Sequence, residues 1–262
     1  MGFVKTPEEI ARLQAVMAAP KALDGEAIFA EFPLSEETVA RLLPPGLECT
    51  DEPGGLANVG RWARSNAGAY AAASLWLKAR HGELEGLYCL TMPISTEATI
   101  LFGRDLLGEP KKLARISFER SGNRVRGSAE RAGTTLLQLE GTLTTPGAPA
   151  SEILHQFHYK YSHRSDGRGL DHDPLLIHNR IEHHVRHLEL GTGTLRLEST
   201  AHDPLGDLGK VEPSYVGYVR CDSRATSTVL ATVPADAFLP FAFSRLDDWT
   251  VLDNEERAGA VT

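Results

Sequence analysis

The sequence predicts a mostly β (α+β) fold in which an antiparallel sheet closes, or nearly closes, into a barrel with a few helices beside it. Short runs of alternating apolar and polar residues recur along the chain, separated by turns that contain Gly or Asn. Helix signals are confined to a few short stretches. No repeat or long linker divides the 262 residues, so one domain covering residues 1–262 is predicted.

The N-terminal third opens with helix signals. Thr6 is a capping residue, Pro7 suits the first helical position, and two glutamates follow in the first turn. A strand is predicted at 28–32. A second short helix begins at Ser35 and is stopped by the proline pair at 44–45.

The remainder of the chain is predicted to consist largely of strands. The first set has short apolar runs at 68–77, 87–92 and 98–102. A meander with Gly and Asn in its turns follows at 113–120, 124–130 and 134–143. Late strands are predicted at 181–190, 194–200, 215–221 and 225–232. Residues 191–193 are interpreted as a turn, and the aromatic segment 238–249 as compatible with a helix.

Composition excludes several classes of protein. The formal net charge of −8 is unsuited to a nucleic-acid-binding surface, which must be positive to meet phosphates. No apolar run is long enough to cross a membrane. Cys49, Cys89 and Cys221 are widely separated and odd in number, which indicates reduced thiols and a cytoplasmic protein.

Two adjacent lysines, Lys111 and Lys112, follow a proline just ahead of a predicted strand. Neighbouring ammonium groups repel, so each makes the other easier to deprotonate, and apolar surroundings act in the same direction. A neutral lysine is a nucleophile for carbonyl carbon and forms a Schiff base. The alternative interpretation of such a pair, taken alone, is solvated surface charge.

The residues around this pair resemble the signature of the acetoacetate decarboxylase superfamily: Gly103-Arg-Asp105, then Gly108-Glu-Pro-Lys-Lys-Leu113. Other landmarks of the family occur in the same order along the chain, at 42–47 (Leu-Leu-Pro-Pro-Gly-Leu), 165–167 (Ser-Asp-Gly) and 204–208 (Pro-Leu-Gly-Asp-Leu).

The resemblance implies an antiparallel β-cone or barrel with peripheral helices, usually assembled as a homo-oligomer. It implies that Lys111 forms the Schiff base, that Lys112 activates it by its positive charge, and that no cofactor is needed. The partner would be a small-molecule keto substrate. Decarboxylation of a β-keto acid is the expected reaction.

Departures from the family pattern leave two alternatives open. The position of the family's substrate-binding arginine falls at Gly25, and those of its two pocket glutamates fall at Ala57 or Asn58 and at Ala72. A roomier, less polar pocket is expected. Branches of the superfamily with altered pockets carry out aldolase-dehydratase chemistry on 2-oxo acids, which is one alternative. A non-catalytic β-barrel that binds a small ligand is the other.

Four further residues are candidates for the site. Glu109 is a candidate for proton transfer, with a simple ion pair in a turn as the alternative. Arg104 is a candidate for binding a substrate carboxylate, although a structural ion pair is favoured. Tyr70 and Tyr88 are candidates for pocket hydroxyls, although aromatic residues on strands are more often part of the core.

Histidines offer a competing interpretation as a metal site. Eight of the ten lie between residues 155 and 187. Within the strand at 181–190, alternation puts His183 and His187 on one face and His184 on the other. No HExxH motif accompanies them. We therefore predict no metal, with one or two histidines in the pocket and the others at the surface or an interface.

Overall fold

The computed structural model describes residues 2–250, which contain eleven strands. The strands are β1 (Lys21–Pro33), β2 (Gly54–Ser65), β3 (Tyr70–His81), β4 (Leu84–Ile94), β5 (Lys111–Leu113), β6 (Arg115–Ser121), β7 (Arg124–Arg131), β8 (Thr134–Pro146), β9 (Glu152–Lys160), β10 (Leu175–Leu197) and β11 (Tyr215–Thr232). The mostly β fold expected from the sequence is confirmed.

Helices occupy a small part of the described chain. The α-helices are α1 (Pro7–Ala18), α2 (Glu36–Leu42), α3 (Glu97–Phe102) and α4 (Ala235–Ala242). Helix α1 begins as predicted: the Glu9 backbone N–H donates to the Thr6 hydroxyl at 3.3 Å, and the Thr6 backbone N–H donates to the Glu9 carboxylate at 3.1 Å. Within residues 2–250, no helix is both long and apolar enough to cross a membrane.

Seven strands close into a barrel in the order β11, β1, β2, β3, β4, β9 and β10, and β10 pairs back onto β11. The barrel pairs are antiparallel except for β4 and β9, which run parallel over a short stretch. The three-residue strand β5 adds to β4 in parallel, with Lys111 opposite Met92. This pairing brings the lysine motif to the barrel wall.

Strands β8, β7 and β6 continue from the distal half of β10 and pack against the outside of the barrel. Their apolar residues form a core with the outward-facing residues of β1 and β2, which include Ile28, Ala30 and Val59. Because successive side chains on a strand point to opposite faces, the intervening residues Ala27 and Phe29 line the barrel interior.

One strand predicted from the sequence is a helix. Residues 98–102 belong to α3, which starts after Thr96 and runs directly into a π-helix at Gly103–Leu107. The apolar run suggested a strand, but Thr96 at the N-cap position and Glu97 in the first turn are ordinary helix-start signals.

The predicted turn at 191–193 is also wrong, because β10 continues through it without a break. Gly191 and Gly193 lie where β8 approaches closely, and a Cβ on either would overlap a carbonyl oxygen of β8. The two strands predicted at 215–221 and 225–232 are likewise one strand, β11. In the segment 238–249, α4 ends at Ala242 and a 3₁₀ turn, Phe243–Arg245, follows.

Candidate active site

The barrel interior contains a cavity of about 590 Å³. Its wall is mainly apolar, contributed by inward-facing residues of several barrel strands that include Phe29, Leu56, Trp76, Met92, Leu154 and Val219. Lys111 and Glu109 also line it. Cavities of this size enclose small organic ligands, and the few polar groups in such a wall usually fix the ligand's orientation.

Lys111 and Glu109 form a close ion pair at the cavity wall. Lys111 Nζ lies 2.5 Å from Glu109 Oε2, and both residues are buried. Burial is the largest single influence on the Glu109 carboxyl and alone would raise its pKa, but the charge and hydrogen bond of Lys111, together with the nearby His158 and Arg245, hold this pKa below its usual value. The wall therefore presents an amine with a carboxylate beside it, which is a suitable arrangement for moving a proton.

The π-helix positions this pair. The Glu109 backbone N–H donates to the Gly103 carbonyl at 3.1 Å, and the Lys111 backbone N–H donates to the Glu109 carbonyl at 2.9 Å. Gly108, which joins the π-helix to Glu109, has φ of 75°, and a Cβ there would lie 2.8 Å from the Tyr159 backbone. Glycine is therefore required where the chain leaves the π-helix toward the lysines.

Lys112 points away from the cavity. Its Nζ donates to the carbonyls of His202 and Leu246 at 2.7 and 2.9 Å and to Asp203 Oδ1 at 3.0 Å. Arg131 pairs with Asp203 and Asp247 in the same network. Because neighbouring residues on a strand face opposite sides, the two ammonium groups occupy different environments. This arrangement gives no support to activation of Lys111 by Lys112.

Of the other predicted site residues, only Tyr70 lines the cavity. Burial and the nearby charge of Glu109 raise the pKa of its hydroxyl, so Tyr70 remains a proton donor. Tyr88 packs edge-on against Tyr159 in a separate apolar cluster, and its pKa is raised by burial. Arg104 also lies outside the cavity wall, with its charge near Tyr161.

The small residues that mark departures from the family pattern fall in two places. Asn58 and Ala72 line the cavity, whereas Ala57 faces the outer core. Of the two alternatives in β2, Asn58 is therefore the pocket residue, and its Oδ1 accepts a hydrogen bond from the Ser74 hydroxyl at 2.5 Å. Gly25 is covered by the indole of Trp62, which itself lines the cavity.

His158 is buried behind the cavity wall, near Glu109 and Lys111. Its ring packs edge-on against Trp76 at 5.7 Å, and neither ring nitrogen has a hydrogen-bond partner. Burial lowers the pKa of His158 to about 4, so the imidazole is neutral at physiological pH. His158 was one of several equivalent histidines in the sequence, which gave no indication that this one lies beside the lysine.

The remaining histidines are dispersed. His155 Nδ1 lies 2.9 Å from His178 Nε2, and His183 lines the cavity 3.7 Å from Glu152. A bulge between Val185 and His187 shifts the alternation of β10, so His187 contacts Tyr218 on the outer side. The prediction that His183 and His187 share a face is wrong for that reason. Among residues 2–250, no three His, Cys, Asp or Glu side chains form a group that could hold a metal.

Two parts of this arrangement had no counterpart in the sequence-based interpretation. Trp62 lies in β2, for which no strand was predicted, and the sequence around it lacks the apolar–polar alternation that would have indicated one. The Asp203 carboxylate that holds Lys112 directly precedes the 204–208 landmark. Its position beside a recognised motif was the available signal.

A protein-family model described as acetoacetate decarboxylase matches residues 5–231. Solved structures share the fold. The acetoacetate decarboxylase of Legionella pneumophila superposes with a TM-score of 0.74 at 19% identity, covering 81% of this chain and 87% of that chain. The enduracididine biosynthesis enzyme MppR, complexed with pyruvate, superposes with a TM-score of 0.68 at 16% identity, covering 81% of this chain and 90% of that chain.

A curated relative is also similar in sequence. The CLA biosynthesis isomerase of Lactiplantibacillus plantarum is 26% identical over 243 residues, which cover 84% of this chain and 86% of the relative. Relatives and structural neighbours thus carry different reaction names, and the residues of the cavity must be used to choose among them.

Proposed function

Because the chain belongs to the acetoacetate decarboxylase family, we propose that it is an enzyme that forms a Schiff base between Lys111 and a small keto compound. Its default reaction in this proposal is that of a lyase that cleaves a carbon–carbon bond. The observation that carries the proposal is the Lys111 amine at the wall of an apolar cavity, 2.5 Å from the Glu109 carboxylate.

The chemistry follows from this pair. Glu109 takes a proton from the Lys111 ammonium, and the neutral amine adds to the ketone carbon. The carbonyl oxygen takes up one proton from the attacking nitrogen and the other from Glu109 and leaves as water, so an iminium ion remains. In a β-keto acid, the electron pair of the breaking C–C bond flows into the iminium, CO₂ leaves, and an enamine forms. Protonation of the enamine carbon and hydrolysis by water then return the ketone and the free amine.

Other residues have supporting roles in the proposal. Tyr70 keeps its proton and can donate to the substrate oxygen, because it lines the same cavity near Glu109. Lys112 fixes β5 through Asp203 and does not reach the substrate. Arg104 and Tyr88 take no direct part. We further propose that the protein is a homo-oligomer, which light scattering of the purified protein would test. We also propose that it is cytoplasmic.

A second candidate function is isomerisation of a ketone through the same iminium. In a ketone with a carbon–carbon double bond at the β,γ position, loss of a proton from the α carbon gives a dienamine, and return of a proton at the γ carbon moves the double bond into conjugation without breaking a C–C bond. The specific observation in its favour is that no arginine lines the cavity within the described residues, where a β-keto acid would need one for its carboxylate. The relative named as an isomerase is consistent with it.

Aldol condensation and dehydration on a 2-oxo acid is a third use of the iminium, and MppR in complex with pyruvate is the relevant structural neighbour. A 2-oxo acid also carries a carboxylate beside its carbonyl, so the same lack of arginine weighs against it. A non-catalytic binding barrel would use the same cavity without needing a reactive Lys111.

Trapping with borohydride tests the proposal. The protein is incubated with acetylacetone, pyruvate or acetoacetate, reduced, and digested, and the modified lysine is located by mass spectrometry. We expect the adduct on Lys111 and its loss in Lys111→Ala. Lys21→Ala is the matched control, since Lys21 is an exposed lysine at the same cavity. If no compound labels Lys111 while Lys111→Ala still binds ligands, the protein is a binding barrel.

A further inference from the structure

Most charged side chains of the cavity wall either have a polar partner or are exposed to solvent. Its charged residues within the described chain are Lys21, Glu31, Glu109, Lys111 and Glu152. Glu31 accepts a hydrogen bond from Tyr215 at 2.6 Å, and Lys111 pairs with Glu109. Lys21 is exposed. Near Lys111, the cavity interior therefore has no second cation with which a carboxylate of the substrate could pair.

Trp62 covers Gly25, the position that aligns with the family's substrate-binding arginine. A Cβ at Gly25 would lie 2.5 Å from Trp62 Nε1 and 2.6 Å from Cδ1, so no side chain at that position fits without moving the indole. Trp62 is itself held by stacking on Tyr70, with ring centroids 5.0 Å apart. The cavity wall beside Gly25 is therefore formed by the stacked rings of Trp62 and Tyr70.

The space available is large relative to a four-carbon keto acid. The cavity of about 590 Å³ lies in the range of pockets that enclose drug-sized ligands. Apolar side chains such as Leu87, Leu154, Leu188 and Val219 line it on strands β4, β9, β10 and β11. Filling such a space with water would leave most of that water without protein hydrogen-bond partners.

We infer that the substrate is an uncharged ketone with a long apolar chain, bound with its carbonyl at Lys111 and its chain along the apolar wall. This inference rests on the proposed Schiff base at Lys111, and it selects the isomerisation over the default decarboxylation, because an uncharged ketone has no carboxylate to lose. Burying each added methylene should tighten binding roughly threefold to fourfold until the cavity is filled. A carboxylate next to the carbonyl should weaken binding, because the Glu109 carboxylate repels it and no second cation of the cavity interior offsets its desolvation.

A chain-length series tests the inference. Acetone, 2-butanone, 2-pentanone, 2-heptanone and 2-nonanone are trapped on Lys111 with borohydride, and the concentration giving half-maximal labelling is measured for each. We expect that concentration to fall roughly threefold per methylene, and pyruvate to label less well than 2-butanone. Labelling that does not depend on chain length, or a preference for pyruvate, would overturn the inference. Absence of labelling by every compound, acetylacetone included, would instead overturn the Schiff-base proposal.

Neighbouring residues of β9 supply a matched pair of variants. Leu154 lines the cavity, whereas Ile153 is 47% exposed on the other face. Leu154→Gln should raise the half-labelling concentration of 2-nonanone about tenfold, by placing an amide where the chain packs, and leave acetone unchanged. Ile153→Gln should alter neither. Equal effects of both variants on 2-nonanone would contradict the placement of the chain.

Discussion

Gly103 lies directly against Lys111: a Cβ at Gly103 would be 2.5 Å from Lys111 Nζ and would overlap Glu109 Oε2. Gly103→Ala should therefore displace the ion pair, and a displacement on the order of 1 Å at a reacting group can cost about 10²-fold in rate. The measurement is the rate at which Lys111 is labelled by acetylacetone and borohydride.

Leu101→Ala is the matched control, because Leu101 is an exposed residue on the preceding helix, 55% accessible. It should label at the normal rate. A Gly103→Ala variant that folds and also labels normally would show that the ion pair tolerates a methyl group. The close approach of Gly103 to Lys111 would then have no effect on the reactivity of the lysine.

Glu109→Gln tests the proton-transfer role proposed for Glu109. The amide cannot accept the proton of the ammonium or return it to carbon, so exchange of a ketone's α-hydrogens in D₂O should slow by about 10²–10⁴-fold. NMR of acetone in D₂O measures this rate directly. Glu152→Gln, which changes another carboxylate of the cavity wall, should exchange at the wild-type rate. Equal slowing in both variants would remove Glu109 from the proposed role.

Lys112→Gln tests two roles of the second lysine. If Lys112 holds β5 through Asp203, the variant should lose about 3 kcal/mol of the free energy of unfolding, because a buried charge is left short of a partner. Urea unfolding measures the loss. Lys210→Gln, which breaks only an exposed pair with Glu212, should leave stability unchanged. A shift of the labelling profile of Lys111 to higher pH, with stability intact, would restore Lys112 as an activator.

His158 should make stability depend on pH. Its pKa is about 4 in the folded protein against 6.5 when unperturbed, so between those values the unfolded chain binds more protons than the folded one. Lowering the pH from about 7 to 4 should therefore cost about 3 kcal/mol of stability through this residue.

The difference between wild type and His158→Gln, measured by urea unfolding across that pH range, isolates the effect. His172→Gln, at an exposed histidine, should follow wild type. Parallel curves for wild type and His158→Gln would mean that the imidazole is charged or hydrated in the folded protein.

The sequence predicted those features of the fold and the site that depend on residues adjacent in the chain. Lys111 could be singled out because the residues on both sides of it form a recognisable motif, and the meander at 113–143 could be predicted because its turns contain Gly or Asn and its strands alternate. Both features depend on neighbouring residues only.

Other features depend on contacts between distant parts of the chain. Whether Lys112 faces the cavity is decided by the pairing of β5 with β4 and by Asp203, ninety-one residues later. The bulge before His187 is set by pairing with β11. At 191–193, local composition indicated a turn, whereas the close approach of β8 makes the same glycines part of a strand.

The network behind the lysines has a consequence for how the protein is made. Lys112 is held by Leu246, Asp247 and the loop at 202–203, and the buried Arg245 donates to the carbonyls of Gly108 and Tyr159. Of these anchors, Arg245, Leu246 and Asp247 leave the ribosome after every strand of the barrel. A nascent chain can therefore assemble its sheet before the full support of the lysine pair exists. Truncation ahead of Arg245 should yield a protein that keeps the barrel but holds Lys112 only through the loop at 202–203.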